Sequence, residues 1–303
     1  MVNIRTLFGC ICMTILLTAC GKEPALPQIE QAETVGTNGS YTCTYLGTER
    51  EFLVCPPEIR TESSPVIFML HGYGSKAESF QLDTKMDKTA CPQGYTVIYV
   101  SGIPNPTDKT SASCWNSGIA ASPVDDTGFL KALAHYAWDN LGCDADRTYA
   151  AGFSNGAFMV HRLALEAADT FSGFASVAGM TPEQTWENRT SIGPVSFLQI
   201  SGTKDDVIPM RANTAAGNTN APAIEDTLDF FISEGKLEQT EETALSEKST
   251  LTKYGGSTAE ACVWSVVIED GSHTWPREQF AGFDTNSLIL EFFDTVAECK
   301  KTK

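Results

Sequence analysis

Basic side chains are scarce in this sequence, where 21 Lys and Arg stand against 38 Asp and Glu for a formal net charge of −17. A field of that sign repels nucleic-acid phosphates and anionic lipid surfaces, so nucleic acid is not an expected partner. No Cys-x-x-Cys pair and no Cys/His cluster with metal-ligand spacing occurs, so a structural zinc site is not expected. Histidine is confined to four positions, 71, 135, 161 and 273. No unit recurs at a period of about 20 to 50 residues, which removes solenoids and propellers. Long apolar runs are missing too: the N-terminal one, Leu7 to Leu17, holds 11 residues, too few to stay across a bilayer. What remains is a chain of 303 residues with globular composition, long enough for one large α/β domain.

The N-terminus sets the expected compartment. Arg5 precedes the short apolar run, which ends in Leu17-Thr18-Ala19-Cys20-Gly21. That ending resembles the lipobox of bacterial lipoproteins, in which the peptide is cut before the cysteine and the thiol carries a diacylglycerol. Residues 1–19 are then a signal peptide, and Cys20 is the lipidation site. Gly21 stands where an Asp would signal inner-membrane retention, so the outer membrane or cell surface is favoured, with the lipid as the sole membrane contact. Residues 20–39, rich in Pro, Glu, Gln and Gly, read as a disordered tether, and 40–303 as the folded domain. Removing Cys10, Cys12 and Cys20 leaves Cys43, Cys55, Cys91, Cys114, Cys143, Cys262 and Cys299, and export permits disulfides among them.

Tyr41 to Cys55 reads as a β-hairpin turning at Gly47. Beyond it, short continuous apolar runs at 66–70, 96–100, 147–153, 174–179, 195–200 and 263–268 alternate with helical patterns near 76–90, 126–141, 155–168, 223–234 and 285–299. Strands without polar alternation are covered on both faces, which predicts a doubly wound, mostly parallel sheet with helices on both sides. The final helix must return from the end of the last strand. About 14 residues at about 1.5 Å each give roughly 21 Å, close to the strand's own length, so Cys262 and Cys299 are expected to meet. Cys43 and Cys55 are a second candidate pair, across the hairpin.

Ser154 lies in Gly152-Phe153-Ser154-Asn155-Gly156, the one G-x-S-x-G in the chain, after an apolar strand and before a helix. This is the setting of a nucleophilic serine on a tight strand-to-helix turn. Its base must be a histidine. His161 is seven residues along the same helix, about 10 Å away by helix rise, and cannot reach. His135 falls inside an outer helix, and His71 is expected to shape the loop that follows its strand. His273, in a loop just past the last strand, is left as the base. The acid comes from the loop after VSFLQI, which offers Asp205 and Asp206. Asp205 is preferred as the first after the strand, with a turn cap as the plain alternative. Backbone N–H groups of Tyr73, between two glycines, and of Asn155 are the candidate oxyanion donors.

With these residues in place, the chain resembles the polyhydroxybutyrate depolymerase-like and feruloyl esterase-like enzymes of carbohydrate esterase family 1. The matching stretches include LHGYGSKAESF at 70–80, CWNSG at 114–118, DRTYAAGFSNGAFM at 146–159, SGTKDDVIP at 201–209 and GSHTWP at 271–276. The resemblance implies an α/β-hydrolase fold and ester hydrolysis through an acyl-enzyme, without cofactor or metal, and it also favours Asp205 through its acid-loop setting. Feruloyl, acetyl or hydroxybutyrate-type esters are the implied substrates, with plant cell-wall polysaccharide or polyester as carriers. It places Trp115 and Trp275 at the acyl or aryl subsite, although a tryptophan is equally a core residue. The chain departs from the family's pattern at Ser201-Gly202 and Gly271-Ser272-His273. It leaves only about 15 residues between FASVAG and VSFLQI, too few for a cap domain, so an open cleft is expected, walled by Ser101–Val124 and Met210–Ala261. A serine peptidase of the same fold and a non-catalytic surface-binding lipoprotein are the competing readings.

Overall fold

Val66, Phe68 and Leu70 point to one side of their strand and Ile67 and Met69 to the other, and both sets are fully buried. A strand apolar on both faces needs a covering layer on each side, and the rest of the architecture supplies it. The computed structural model describes residues 27–300 apart from 36–37, 60, 108, 211–220 and 257–258. Residues 1–19, read as a signal peptide, and Cys20 lie outside the described residues.

The strands are β1 (Glu30–Val35), β2 (Ser40–Tyr45), β3 (Thr48–Cys55), β4 (Ser64–Leu70), β5 (Thr96–Val100), β6 (Ile103–Pro104), β7 (Ser113–Cys114), β8 (Cys143–Phe153), β9 (Gly173–Val177), β10 (Phe197–Gly202), β11 (Gln239–Ala244), β12 (Ser249–Gly255) and β13 (Cys262–Ile268). The helices are α1 (Ala77–Thr84), α2 (Met86–Ala90), α3 (Asp126–Leu141), α4 (Asn155–Glu166), α5 (Glu183–Glu187), α6 (Ile224–Gly235), α7 (Glu278–Ala281) and α8 (Thr285–Lys300). Eleven strands form one sheet in the order β1-β2-β3-β5-β4-β8-β9-β10-β13-β12-β11. Its centre, β5 to β13, is parallel, and antiparallel strands extend it at both edges. α1, α2 and α8 cover one face, while α3, α4 and α6 cover the other. This is the α/β-hydrolase arrangement, and among the described residues only the short α5 stands between β9 and β10, so no cap domain rises there.

Several elements differ from expectation for local reasons. Glu30–Val35, inside the stretch expected to be a disordered tether, pairs with β2 as an edge strand and lets Ala32 pack on the core. The helix expected over 76–90 is broken at Lys85, whose left-handed backbone (φ 53°) ends α1, its N–H donating to the Gln81 carbonyl. β11 was not anticipated because all six of its residues are exposed and it carries no apolar pattern.

The two expected cysteine pairs fare differently. Cys262, at the start of β13, and Cys299, near the end of α8, meet as the return length of the helix requires, but as a hydrogen-bonded pair of thiols and not as the expected disulfide. Burial and that contact hold the Cys262 thiol well above its ordinary pKa. Cys43 and Cys55 do not meet. Cys43 pairs with Arg50 in register and faces the α3 side, whereas Cys55 packs on the opposite face beside Gln81. Alternation along a strand puts such residues on opposite sides of the sheet.

Candidate active site

The parallel strands all end at one rim, where the chain must turn sharply from β8 into α4. Ser154 makes that turn with φ 53° and ψ −119°, a conformation that costs a non-glycine residue about 1–3 kcal/mol. The flanking glycines permit it. A Cβ on Gly152 would sit 2.5 Å from the Gly156 carbonyl oxygen, and one on Gly156 would overlap the carbonyl oxygens of Leu70 and His71. The G-x-S-x-G spacing is thus the footprint of a helix start wedged against two strand ends.

Two other loops reach the same point. Ser154 Oγ lies 2.8 Å from His273 Nε2, and His273 Nδ1 lies 2.8 Å from Asp205 Oδ2. The second carboxylate oxygen of Asp205 accepts the Val207 and Ile208 N–H groups at 3.0 and 2.7 Å, so the side chain is fixed and nearly inaccessible. Asp206 is exposed, which resolves the choice between the two acids in favour of Asp205. The acid loop and the histidine loop are laced together: Thr203 N–H donates to Ile268 O, and Lys204 N–H to Gly271 O. Gly202 and Gly271 touch backbone to backbone, which explains why this chain keeps a glycine at each place despite its departures from the family pattern. The Phe153 ring, 5.0 Å from the imidazole, closes the side facing the protein.

The remaining histidines take other parts. His135 is exposed and packs on Trp138. His161 is buried in a polar network with Ser176, Gln199 and Thr181, and burial pushes its pKa down to about 3. His71 is also fully buried; its Nε2 accepts the Gly102 N–H and its Nδ1 faces the Gly72 carbonyl, which sets the Nδ1–H tautomer. Burial lowers its pKa to about 4, so it serves as a neutral bracket for the following turn. In that turn Ser75 N–H donates to Gly72 O, and Gly74, at φ 75°, lets the chain reverse around Tyr73. Asn155 is the first residue of α4, so its N–H lies outside the intrahelical ladder.

An apolar pocket of about 290 Å³ opens beside Ser154 and Asn155. Tyr73, Ile103, Trp115, Ile119, Val124, Phe158, Val207 and Ile208 are among its walls. The Ser101–Val124 loop forms one wall as expected. Met210–Ala261 supplies none of the described lining; its described residues include α6, which covers a face of the sheet, and β11 and β12 at the sheet's edge. Trp275 is likewise not at a subsite: it is 7% exposed, packs edge-on against Phe80, and donates its indole N–H to Asn286. The family resemblance placed it at a subsite, but it points into the core under α8. No local pattern pointed to the buried pair Arg50–Asp126, 2.6 Å apart, in which the second Asp126 carboxylate oxygen accepts the Asn116 N–H at the pocket wall.

The phospholipase/carboxylesterase family profile matches residues 52–247, well over half the chain. The chain belongs to that family. Among its relatives, the protein described as "Putative esterase NocK" of Nocardia uniformis subsp. tsuyamanensis is 30% identical over 239 residues, covering 72% of this chain and 67% of NocK. Feruloyl esterase B of Thermothelomyces thermophilus is 26% identical over 133 residues, 43% of either chain, so the match spans less than half of that enzyme. The structure of an acetyl xylan esterase from Aspergillus awamori superimposes with a TM-score of 0.61 at 12% identity, covering 88% of this chain and 98% of that one, a likeness of fold. As a member of the phospholipase/carboxylesterase family, the chain is an esterase of the α/β-hydrolase type.

Proposed function

We propose that this esterase is a serine carboxylic ester hydrolase that works through an acyl-enzyme, with Ser154 as nucleophile, His273 as base and Asp205 as the acid that orients it. The observation that carries this is the continuous hydrogen-bonded chain from hydroxyl to imidazole to carboxylate, each link 2.8 Å. His273 Nε2 takes the Ser154 proton as Oγ attacks the ester carbonyl carbon, and the oxyanion settles on the Tyr73 and Asn155 N–H groups. The imidazolium then protonates the departing alcohol, and water repeats the sequence to release the acid.

The substrate is a compact acyl ester of the feruloyl, acetyl or hydroxybutyrate kind. The apolar pocket beside Ser154 and the feruloyl esterases among the relatives support this class. The uncapped rim suits an ester projecting from a polymer, as in the resemblance to carbohydrate esterase family 1. Rapid mixing with p-nitrophenyl acetate should give a burst of nitrophenol matching the enzyme concentration, with the acetyl group recovered on the Ser154 peptide after acid quench. An acetyl group found only elsewhere would refute the reading. We also read residues 1–20 as a lipoprotein export signal; labelled palmitate should enter the full chain in a bacterial host and fail to enter Cys20→Ser, and equal labelling of both would end that reading.

A further inference from the structure

The two candidate oxyanion donors come from segments with no direct chain connection: Tyr73 follows β4, and Asn155 begins α4. An oxyanion hole works only if its donors hold a fixed separation, and one segment, Ser113 to Trp115, is bonded to both. Trp115 Nε1–H donates to His71 O at 2.9 Å, two residues before Tyr73. Trp115 N–H donates to Asn155 Oδ1 at 2.8 Å. Gly74 N–H, just after Tyr73, donates to Ser113 O at 2.8 Å. The segment itself is braced from below, since Asn116 N–H donates to Asp126 Oδ2 at 2.7 Å and Arg162 donates to Asn116 O at 2.7 Å. Asp126 is in turn held by the buried Arg50.

We propose that Trp115 is a positioning residue of the oxyanion hole, a strut whose indole N–H and backbone N–H fix the Tyr73 and Asn155 segments relative to each other; this rests on the serine-esterase reading above. Its ring is only 3% exposed although its edge lines the pocket, which suits a strut better than a substrate platform. The side chain of Asn155 is the other half of the device. A residue whose backbone N–H binds the oxyanion uses its own amide oxygen to hold the frame.

The test uses the full chain and three variants: Trp115→Phe, which removes the indole N–H and keeps an aromatic ring; Asn155→Ala, which removes the acceptor; and Trp138→Phe. The last deletes a comparable indole bond, to Thr148, far from the site. Deleting an oxyanion donor costs on the order of 10²–10³ in kcat, and a displaced donor costs less, so Trp115→Phe and Asn155→Ala should each lower kcat roughly 10- to 100-fold. Affinity for an aryl trifluoromethyl ketone, whose serine adduct bears an oxyanion, should fall by a similar factor, with KM for p-nitrophenyl acetate changing less than about two-fold. Trp138→Phe should leave all three unchanged at a similarly altered melting temperature. Unchanged kcat and inhibitor affinity in folded Trp115→Phe, or a rise in KM alone, would overturn the proposal; the second result would make Trp115 a substrate contact with no part in positioning the donors. Should Trp115→Phe fail to fold, an Asn155→Ala enzyme with wild-type kcat and inhibitor affinity overturns it equally. The underlying reading fails separately, if Ser154→Ala keeps its activity.

Discussion

Ser154→Ala is expected to lower kcat for p-nitrophenyl acetate by about 10⁶-fold while leaving the protein folded, the scale typical of losing the nucleophile of an intact triad. The fold should tolerate it because the hydroxyl's partner is the partly exposed His273, which solvent can satisfy. Alanine still pays the positive-φ strain at this turn, so the melting temperature should change little in either direction. Steady-state assays on protein purified away from host esterases measure the loss. Retention of even a tenth of the activity would mean that another group attacks the ester.

Asp205→Asn should cost about 10⁴-fold in kcat, although it is nearly isosteric. The reason lies in the two backbone donors. Val207 and Ile208 N–H groups both point at Asp205 Oδ1, so an amide at this position must place its oxygen there and its NH₂ toward His273. The imidazole can then present only a lone pair at Nδ1, which moves its proton to Nε2, facing Ser154. A proton on Nε2 blocks proton transfer from the hydroxyl. A loss below about ten-fold would show that solvent or a loop shift frees the histidine from this constraint. Aspartate is thus required for tautomer as well as for charge, and the turn that follows it enforces the requirement.

Much of the site was legible because its residues are spaced by backbone geometry. Gly152 and Gly156 are dictated by the approach of α4 to the ends of β8 and β4, so the motif, set between an apolar strand and a helix, marks the turn in this chain. His273 followed from elimination among four histidines; of the three set aside, His71 is the buried bracket expected of it, His135 is exposed, and His161 lies in a buried polar network that was not anticipated. The errors share a cause. Trp275 was carried over from the family resemblance and the Cys43–Cys55 pair was inferred from nearness across a hairpin, but the face on which a side chain lies depends on strand phase and on the packing of distant elements. The Arg50–Asp126 pair, separated by 76 positions, left no local pattern at all.

From residue order alone came the layered α/β architecture, the candidate nucleophile, its candidate base and a choice of two acids, since apolar periodicity and glycine spacing are local constraints that folding must obey. Only the folded chain decided which acid faces the imidazole, where the pocket walls stand, and how Trp115 bridges two loops. Those depend on contacts between segments tens of residues apart, whose partners are selected by the packing of the whole sheet rather than by any neighbour in sequence.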